Sequence, residues 1–505
     1  MRGKAILGRF SSVSSIVLVC LLLVLAFGCK RKAEEAGVAG EPVESKDKRQ
    51  EVISEEQTKD FGSKEKTKEI VFSLDEISAF EVGEQLLHEF VRGQRGDYGE
   101  QPEAEVKVYP AFKSDKPVYG SVRFASEYGE KNSGIQYHFV VDESTGTGKG
   151  YDLLYFDLNH DRDLTNDTPL APLKNPPDGA ILNYKSIDQQ VCFDYLDVNF
   201  DFGSAGQRPL EIMPRLIISE SGYTVLSFVT TKARKGEIEI AGQRYNVFLG
   251  HIYLIGGWFD RPSTALRLVP DYGRQPGWWG GYRLTAMHKI GGTFYCFSAT
   301  PVGDKLIVRP YDGALGLFEV GAGGRNIQKI GVKGSLRSKD TAVAVGGELE
   351  HGWPKEAQSC RLPVGDYLPS YLRIRFGRLN IFISDNYHAD GKPRDRAGRP
   401  HVYGIEIRKD KPFVFDFTNT PEVMFALPPK DHRVKLGEEL TVKAILTDPK
   451  LDIMIRDLDD TSSMADSYGP DGKKRPYQKA LSLDPKVVIT RADGEKVAEG
   501  VMPFG

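Results

Sequence analysis

Tyr151-Asp152-Leu153-Leu154-Tyr155-Phe156 runs directly into Asp157-Leu158-Asn159-His160-Asp161-Arg162-Asp163-Leu164-Thr165-Asn166-Asp167. The first six residues are a short aromatic and apolar run of the kind that fits a pleated, half-buried surface. The next eleven set oxygen-bearing side chains at alternate positions. Two runs of the same strand type precede it, Tyr119-Gly-Ser-Val-Arg-Phe and Tyr137-His-Phe-Val-Val, each bounded by polar breaks. The stretch therefore predicts short strands joined by turns, with a chemically distinctive loop at one strand end.

The same texture extends through the chain. Leu216-Ile-Ile, Tyr223-Thr-Val-Leu-Ser-Phe-Val, Tyr245-Asn-Val-Phe-Leu and Thr293-Phe-Tyr-Cys-Phe recur between Gly, Pro and Asp turns. Regular short strands with such punctuation predict a mainly β fold of several consecutive β-sandwich-like domains. One short N-terminal helix is expected, capped by Ser73 or Asp75, with Ile77, Phe80, Val82, Leu86, Leu87, Phe90 and Val91 on one face. His88 and Glu89 lie in it, but no second His follows at helical spacing, so it is not a zinc-protease helix.

Composition shifts divide the body at 70–235, a β-rich domain containing the Asp/Asn loop, 236–330, a second β-rich domain, 331–410, a small sandwich-like module, and 411–505. The last segment carries Phe413-Val-Phe-Asp-Phe, Glu422-Val-Met-Phe-Ala-Leu, Glu439-Leu-Thr-Val-Lys-Ala-Ile-Leu and Lys486-Val-Val-Ile-Thr. It resembles an immunoglobulin-like β-sandwich without the Cys…Trp…Cys pattern.

A hard cation such as calcium takes six to eight oxygens, and a compact loop delivers them from positions 1, 3 and 5 plus a backbone carbonyl. Asp157, Asn159 and Asp161 match those positions, Asp163 adds a further oxygen, and Asp167 closes the set. The series resembles calcium loops of EF-hand-like and dockerin-like type, which implies Ca2+ as cofactor. Position 6, normally Gly, is Arg162, and position 12 is Thr168, with the nearest carboxylate one residue early. The other reading is an Asp/Asn-rich turn capping a strand end.

Residues 1–29 read as an export signal. Arg2, Lys4 and Arg9 form a basic start, and Ile16 to Leu25 is an uncharged apolar run, short of the about 20 residues a membrane span needs. Leu25-Ala26-Phe27-Gly28-Cys29 resembles a bacterial lipobox, which implies diacylglycerol on Cys29 and anchorage in a lipid bilayer. A plain secretory signal and an uncleaved anchor are the alternatives. Lys30 after the Cys implies, by resemblance to Gram-negative sorting, the outer membrane. Residues 30–69 are about half charged with both signs mixed, and predict a disordered tether.

Gly256-Gly-Trp258-Phe and Gly277-Trp278-Trp279-Gly-Gly-Tyr282 form a Gly-spaced aromatic cluster. Exposed, such rings stack on sugars or anchor a protein partner; buried, they are core. A formal net charge of −3 over 505 residues offers no basic field, so nucleic acid is not an expected partner. Of five cysteines, Cys192, Cys296 and Cys360 lie in the body, so at most one internal disulfide can form. Nine scattered histidines and the absence of nucleophile elbows or nucleotide loops leave no catalytic constellation.

The strand-and-loop run from Tyr151, with Pro310-Tyr311-Asp312-Gly313, Leu362-Pro-Val-Gly-Asp-Tyr and the ending Gly500-Val-Met-Pro-Phe-Gly, resembles a family of exported proteins and lipoproteins of planctomycete-like bacteria with no assigned activity. The resemblance implies export and a multidomain β architecture. Two functions are compatible with these features: a calcium-stabilised, non-catalytic envelope lipoprotein that binds or scaffolds an envelope protein or glycan, and an envelope hydrolase, with glycans as a candidate substrate, using carboxylates near the Trp/Gly-rich loops.

Overall fold

In Leu196–Asp201 the residues Leu196, Val198 and Phe200 are buried, while Asp197, Asn199 and Asp201 face solvent. That period-two alternation is the strand signature, and it organises the chain. The computed structural model describes residues 16–19, 69–126, 134–147, 150–182, 187–201, 206–270, 283–350, 353–384, 386–394, 401–416, 421–428, 432–433, 438, 440–468, 474–491 and 493–502. Strands make up 56% and helices 2% of the structure, so the large cores are built from sheets, and the helical residues Leu86 and Phe90 serve a small core with Phe248. The fold is mainly β, in several separate sheets that are antiparallel but for one strand pair. Cys29 and nearly all of the expected tether lie outside the described residues.

The Asp/Asn loop belongs to a four-stranded antiparallel sheet of β1 (Asp97–Gly99), β2 (Val118–Phe124), β3 (Ile135–Asp142) and β4 (Leu153–Phe156), in that spatial order. Facing it is a second sheet of β5 (Ile187–Cys192), β6 (Leu196–Asp201), β7 (Gln207–Ser219) and β8 (Thr224–Thr230), with Gln94–Arg95 beside β8. The inward residues of both sheets form one aromatic core, where Phe124 meets Phe228 edge-on at 5.4 Å and Phe200 at 5.9 Å. Burying each such ring contributes about 1.5–3 kcal/mol. Gly120 on β2 admits the Phe139 ring: a Cβ there would meet the Asp97 carbonyl oxygen at 2.2 Å and the ring at 2.5 Å.

Two further four-stranded sheets enclose a second core. One runs Ala265–Pro270, Gln243–Gly250, Lys232–Ile240, Asp75–Ser78; the other runs His288–Ile290, Thr293–Ala299, Lys305–Pro310, Ile70–Ser73. The helix expected from Ser73 or Asp75 is thereby corrected. Ile70–Ser73 and Asp75–Ser78 are strands whose backbone groups pair with Lys305–Pro310 and Lys232–Ile240. Helical backbone is confined to a 3-10 turn at Ala79–Glu81 and to α1 (Glu84–Phe90), separated by Gly83 at φ 96°. Tertiary pairing has overridden the local apolar spacing. Lys232–Ile240 also runs across the expected boundary at 235.

Downstream, a nine-stranded sheet joins strands from both sides of residue 410: Leu379–Ser384 pairs with Ile453–Tyr468. Phe413–Phe415 lies parallel to Leu315–Val320, and Phe318, Leu362, Ile381 and Ile455 share one core. The segments 331–410 and 411–505 thus contribute to a common sheet. The final hairpin, Lys486–Arg491 with Lys496–Val501, is bordered by Ile16–Val19.

Candidate functional site: the Asp157–Asp167 loop

β4 ends at Phe156, and the next residue turns inward. Asp157 is 1% exposed, and its N–H donates to the His138 carbonyl of β3 at 2.9 Å. Its Oδ2 accepts the Arg162 N–H at 3.2 Å, while Oδ1 is enclosed with no hydrogen-bond partner among the described residues. From there the loop climbs by side chain-to-backbone turns, the usual habit of Asn and Asp. Asn159 Oδ1 accepts the Asp161 N–H at 2.9 Å, Asp161 Oδ1 the Asp163 N–H at 2.8 Å, and Asp163 Oδ1 the Thr165 N–H at 2.9 Å. Asn166 Nδ2 donates to Asp161 Oδ2 at 2.6 Å. His160 and Arg162 take left-handed backbone, φ 61° and 67°.

Asp167 closes the loop back on its start. Its Oδ1 accepts the Leu158 N–H at 3.4 Å, and its Oδ2 is enclosed and unpartnered. Leu164 is fully buried with Tyr119 and Val140, and its N–H donates to the Val108 carbonyl at 3.1 Å. A strap of chain before β2 braces the outside: the Lys107 N–H reaches the Arg162 carbonyl at 2.8 Å, and Lys107 Nζ reaches the Asp161 carbonyl at 3.0 Å. Glu105 sits 3.5 Å from His138 Nε2 and 3.9 Å from Arg162.

The loop's carboxyls are driven in opposite directions. Burial pushes Asp167 up to about 6, and the charges of Asp157, Asp161 and Asp163 add to it against the Leu158 N–H. Hydrogen bonds from Asn166 and from the Asp163 backbone hold Asp161 below the usual carboxylate range. Burial is the larger cause at Asp167, and the neighbouring carboxylates push in the same direction, both favouring its neutral form. Two buried acceptor-only oxygens, Asp157 Oδ1 and Asp167 Oδ2, lie at opposite ends of the loop. Among the described residues no three His, Cys, Asp or Glu side chains converge as a ready metal-binding group. Two open oxygens, not a closed coordination shell, are what the loop presents here. Chemically, oxygen donors of this kind suit a hard divalent cation, calcium above all.

The other expected features are placed less fully. Trp258 is half-buried, and its carbonyl accepts the Thr264 hydroxyl at 3.3 Å. Trp278, Trp279 and Tyr282 lie outside the described residues, so the aromatic cluster is represented by one ring. Cys192, Cys296 and Cys360 are all free thiols. Three polar groups went unseen in the sequence because their members lie far apart along it: Glu89 with Arg267, His388 with Asp452 and Arg394, and Arg208, Arg234 and His251 around Phe259.

Fold and site together describe a multi-sheet β protein with an acidic, partly dehydrated loop at one strand end. The chain matches no protein-family model, no curated protein and no solved structure.

Proposed function

We propose that this chain is an exported lipoprotein, tethered to a membrane through Cys29. Its β-rich body is stabilised by a calcium ion in the Asp157–Asp167 loop, and it acts without catalysis in binding or scaffolding in the cell envelope. The observation that carries the calcium part is the pair of buried, unpartnered carboxylate oxygens at Asp157 and Asp167. Leaving such acceptors unmet is costly, and ligation of a cation is one way for the loop to meet them. Asp161 and Asp163 would complete the shell by trading a turn hydrogen bond for a metal bond, as loops of this type can. The membrane part rests on the basic start, the apolar run and the position of Cys29, with the charged segment behind it.

Thermal unfolding of the full-length protein with calcium and with chelator tests the loop. Calcium is expected to raise the midpoint by several degrees in the native sequence and not in Asp157→Asn/Asp167→Asn. An equal response in both proteins, or none in either, removes the calcium reading. Metabolic labelling with a radioactive fatty acid tests the anchor: incorporation that survives Cys29→Ser rules it out.

A further inference from the structure

Three polar side chains gather on the ring of Phe259: Arg208 and Arg234 from separate strands, and His251 from the loop after Gln243–Gly250. His251 stacks on it, centroids 5.1 Å apart and planes at 26°. The guanidinium carbons of Arg208, on β7, and Arg234, on Lys232–Ile240, lie 5.8 Å and 5.6 Å from the same ring centroid. Phe259 itself is buried, and its N–H donates to the Pro301 carbonyl at 3.0 Å. Gly303, at φ 75°, lets the group close up: a Cβ there would stand 2.7 Å from the ring and 3.1 Å from the Arg234 side chain.

The hydrogen-bond accounts of these side chains share one feature. The Gly256 N–H donates to His251 Nδ1 at 3.3 Å, which places the ring proton on Nε2. His251 is 2% exposed, and that Nε2–H has no acceptor among the described residues. Burial, and then the charge of Arg208, lower the ring to about 4, so it is neutral at pH 7 and donates through Nε2 alone. Arg208 is half-buried, its Nε is enclosed, and no described residue accepts from its guanidinium. Arg234 gives one terminal nitrogen to Glu76 at 2.9 Å and keeps an enclosed, unpartnered Nε. Two acids stand near: Glu76 pairs with Arg234, and the exposed Asp304 accepts the Thr300 hydroxyl at 2.5 Å and feels the charge of Arg234. Among the described residues, the enclosed atoms without a partner on these three side chains, Arg208 Nε, Arg234 Nε and His251 Nε2, are all donors.

We propose that Arg208, His251 Nε2 and Arg234 form a binding site for a small oxyanion, the carboxylate, sulfate or phosphate group of a larger ligand or the free ion. A guanidinium fork matches paired oxygens in one plane, and two arginines with a neutral imidazole donor exclude a cation. Arg208 is half-exposed, so solvent reaches the group from its side, while His251 is buried. The aromatic ring beneath the guanidinium groups holds them in place by cation–π contact. This site is separate from the Asp157–Asp167 loop and stands whether or not that loop holds calcium.

The test compares full-length native protein with Arg208→Gln in sodium chloride, acetate, sulfate and phosphate at equal ionic strength. Sulfate and phosphate stabilise folded proteins generally by exclusion from the surface, so the readout is the difference between the two proteins. At about tenfold over the dissociation constant, an oxyanion should raise the native midpoint by about 2–4 °C beyond any rise in the variant. Binding measured calorimetrically should weaken at least about tenfold in the variant. A response to acetate alone assigns a carboxylate, as on an acidic sugar or peptide; a response to sulfate or phosphate assigns the tetrahedral anions. If the variant does not fold, nitrogen-15 NMR of the native histidines decides: the His251 Nε2–H signal should move and saturate with anion. A His251 signal indifferent to all three anions, or equal responses from both proteins, would mean that the proposal is wrong.

Discussion

Arg267 closes on a single oxygen of Glu89, with Nε at 2.8 Å and a terminal nitrogen at 2.7 Å, and both side chains are buried. The two residues stand 178 apart in sequence. Their contact fixes α1, which carries Glu89, onto the strand Ala265–Pro270. Phe90 packs edge-on against Phe248 at 6.3 Å beside it. Glu89→Ala would leave the buried guanidinium without its carboxylate, and is expected to cost about 3–5 kcal/mol. Glu89→Gln, which keeps one acceptor, should cost less. Urea unfolding measures both, and a loss below about 1 kcal/mol for Glu89→Ala would mean that the ion pair is not what holds the helix down.

Asp167 makes the acidic loop sensitive to pH. Its carboxyl is pushed up to about 6 in the fold, above the ordinary value of about 4. The folded protein then holds a proton that the unfolded chain releases, so metal-free stability should fall as pH rises from about 4 through 6. Calcium needs the ionised carboxylate, so its affinity should drop by up to about tenfold per pH unit below 6. Melting temperatures across pH 4–8, with and without calcium, read both trends, and Asp167→Asn should flatten both. A native metal-free midpoint that climbs between pH 4 and 6, in step with Asp167→Asn, would contradict the assignment.

Arg162 occupies the position where a calcium loop usually has Gly, and its φ of 67° is the conformation Gly adopts without strain. The backbone has made the sharp turn despite the side chain. Holding an L-residue there costs about 1–2 kcal/mol, partly offset in Arg162→Gly by the greater freedom of the unfolded chain. The weak 3.9 Å contact with exposed Glu105 adds little to the balance. Arg162→Gly is therefore expected to be neutral or stabilising by up to about 1 kcal/mol, with calcium affinity unchanged or tighter. A clear loss of either in calorimetry would show that the Arg162 side chain does more than fill the position.

Which features the sequence disclosed follows from how local their causes are. The strand pattern of residues 119–124 needs only neighbours, and the alternate spacing of Asp and Asn after Phe156 is contained within eleven residues. Both were legible. Ile70–Ser73 and Asp75–Ser78 were not, because what makes them strands lies at Lys305–Pro310 and Lys232–Ile240. The apolar spacing from Ile77 to Val91 serves a 3-10 turn and a short helix as well as one long helix, so periodicity alone could not choose. The continuity across residue 410 was hidden for the same reason, since Leu379–Ser384 finds Ile453–Tyr468 only in the folded sheet. In the site, spacing identified Asp157 and Asp167 but could not show that Asn159, Asp161 and Asp163 engage their own backbone while the two end carboxylates each keep an oxygen open.

Asp452 is the hub of the remaining buried polar group. Its Oδ2 lies 2.6 Å from His388 Nδ1 and 3.1 Å from a terminal nitrogen of Arg394, and its Oδ1 accepts the Ala389 N–H at 2.9 Å. The residue itself sits at φ 51°, a conformation Asp and Asn tolerate better than most. Burial alone would raise its carboxyl, but the hydrogen bonds from Ala389 and His388 and the charge of Arg394 outweigh burial and hold it below the ordinary value. A carboxyl depressed in the fold contributes stability that is complete above about pH 4 and disappears as pH falls through its folded value. Asp452→Ala strips two buried cationic or polar partners of their acceptor and should cost about 3 kcal/mol near neutral pH. Asp452→Asn keeps the backbone preference and one acceptor oxygen, so it should cost less at pH 7. The gap between native protein and Asp452→Asn should then narrow as the solution is acidified below pH 4, because the native carboxyl becomes neutral as well. Urea midpoints at pH 7, 5 and 3 measure that gap. A gap constant across all three values would mean that the charge on Asp452 contributes nothing and that its geometry alone matters.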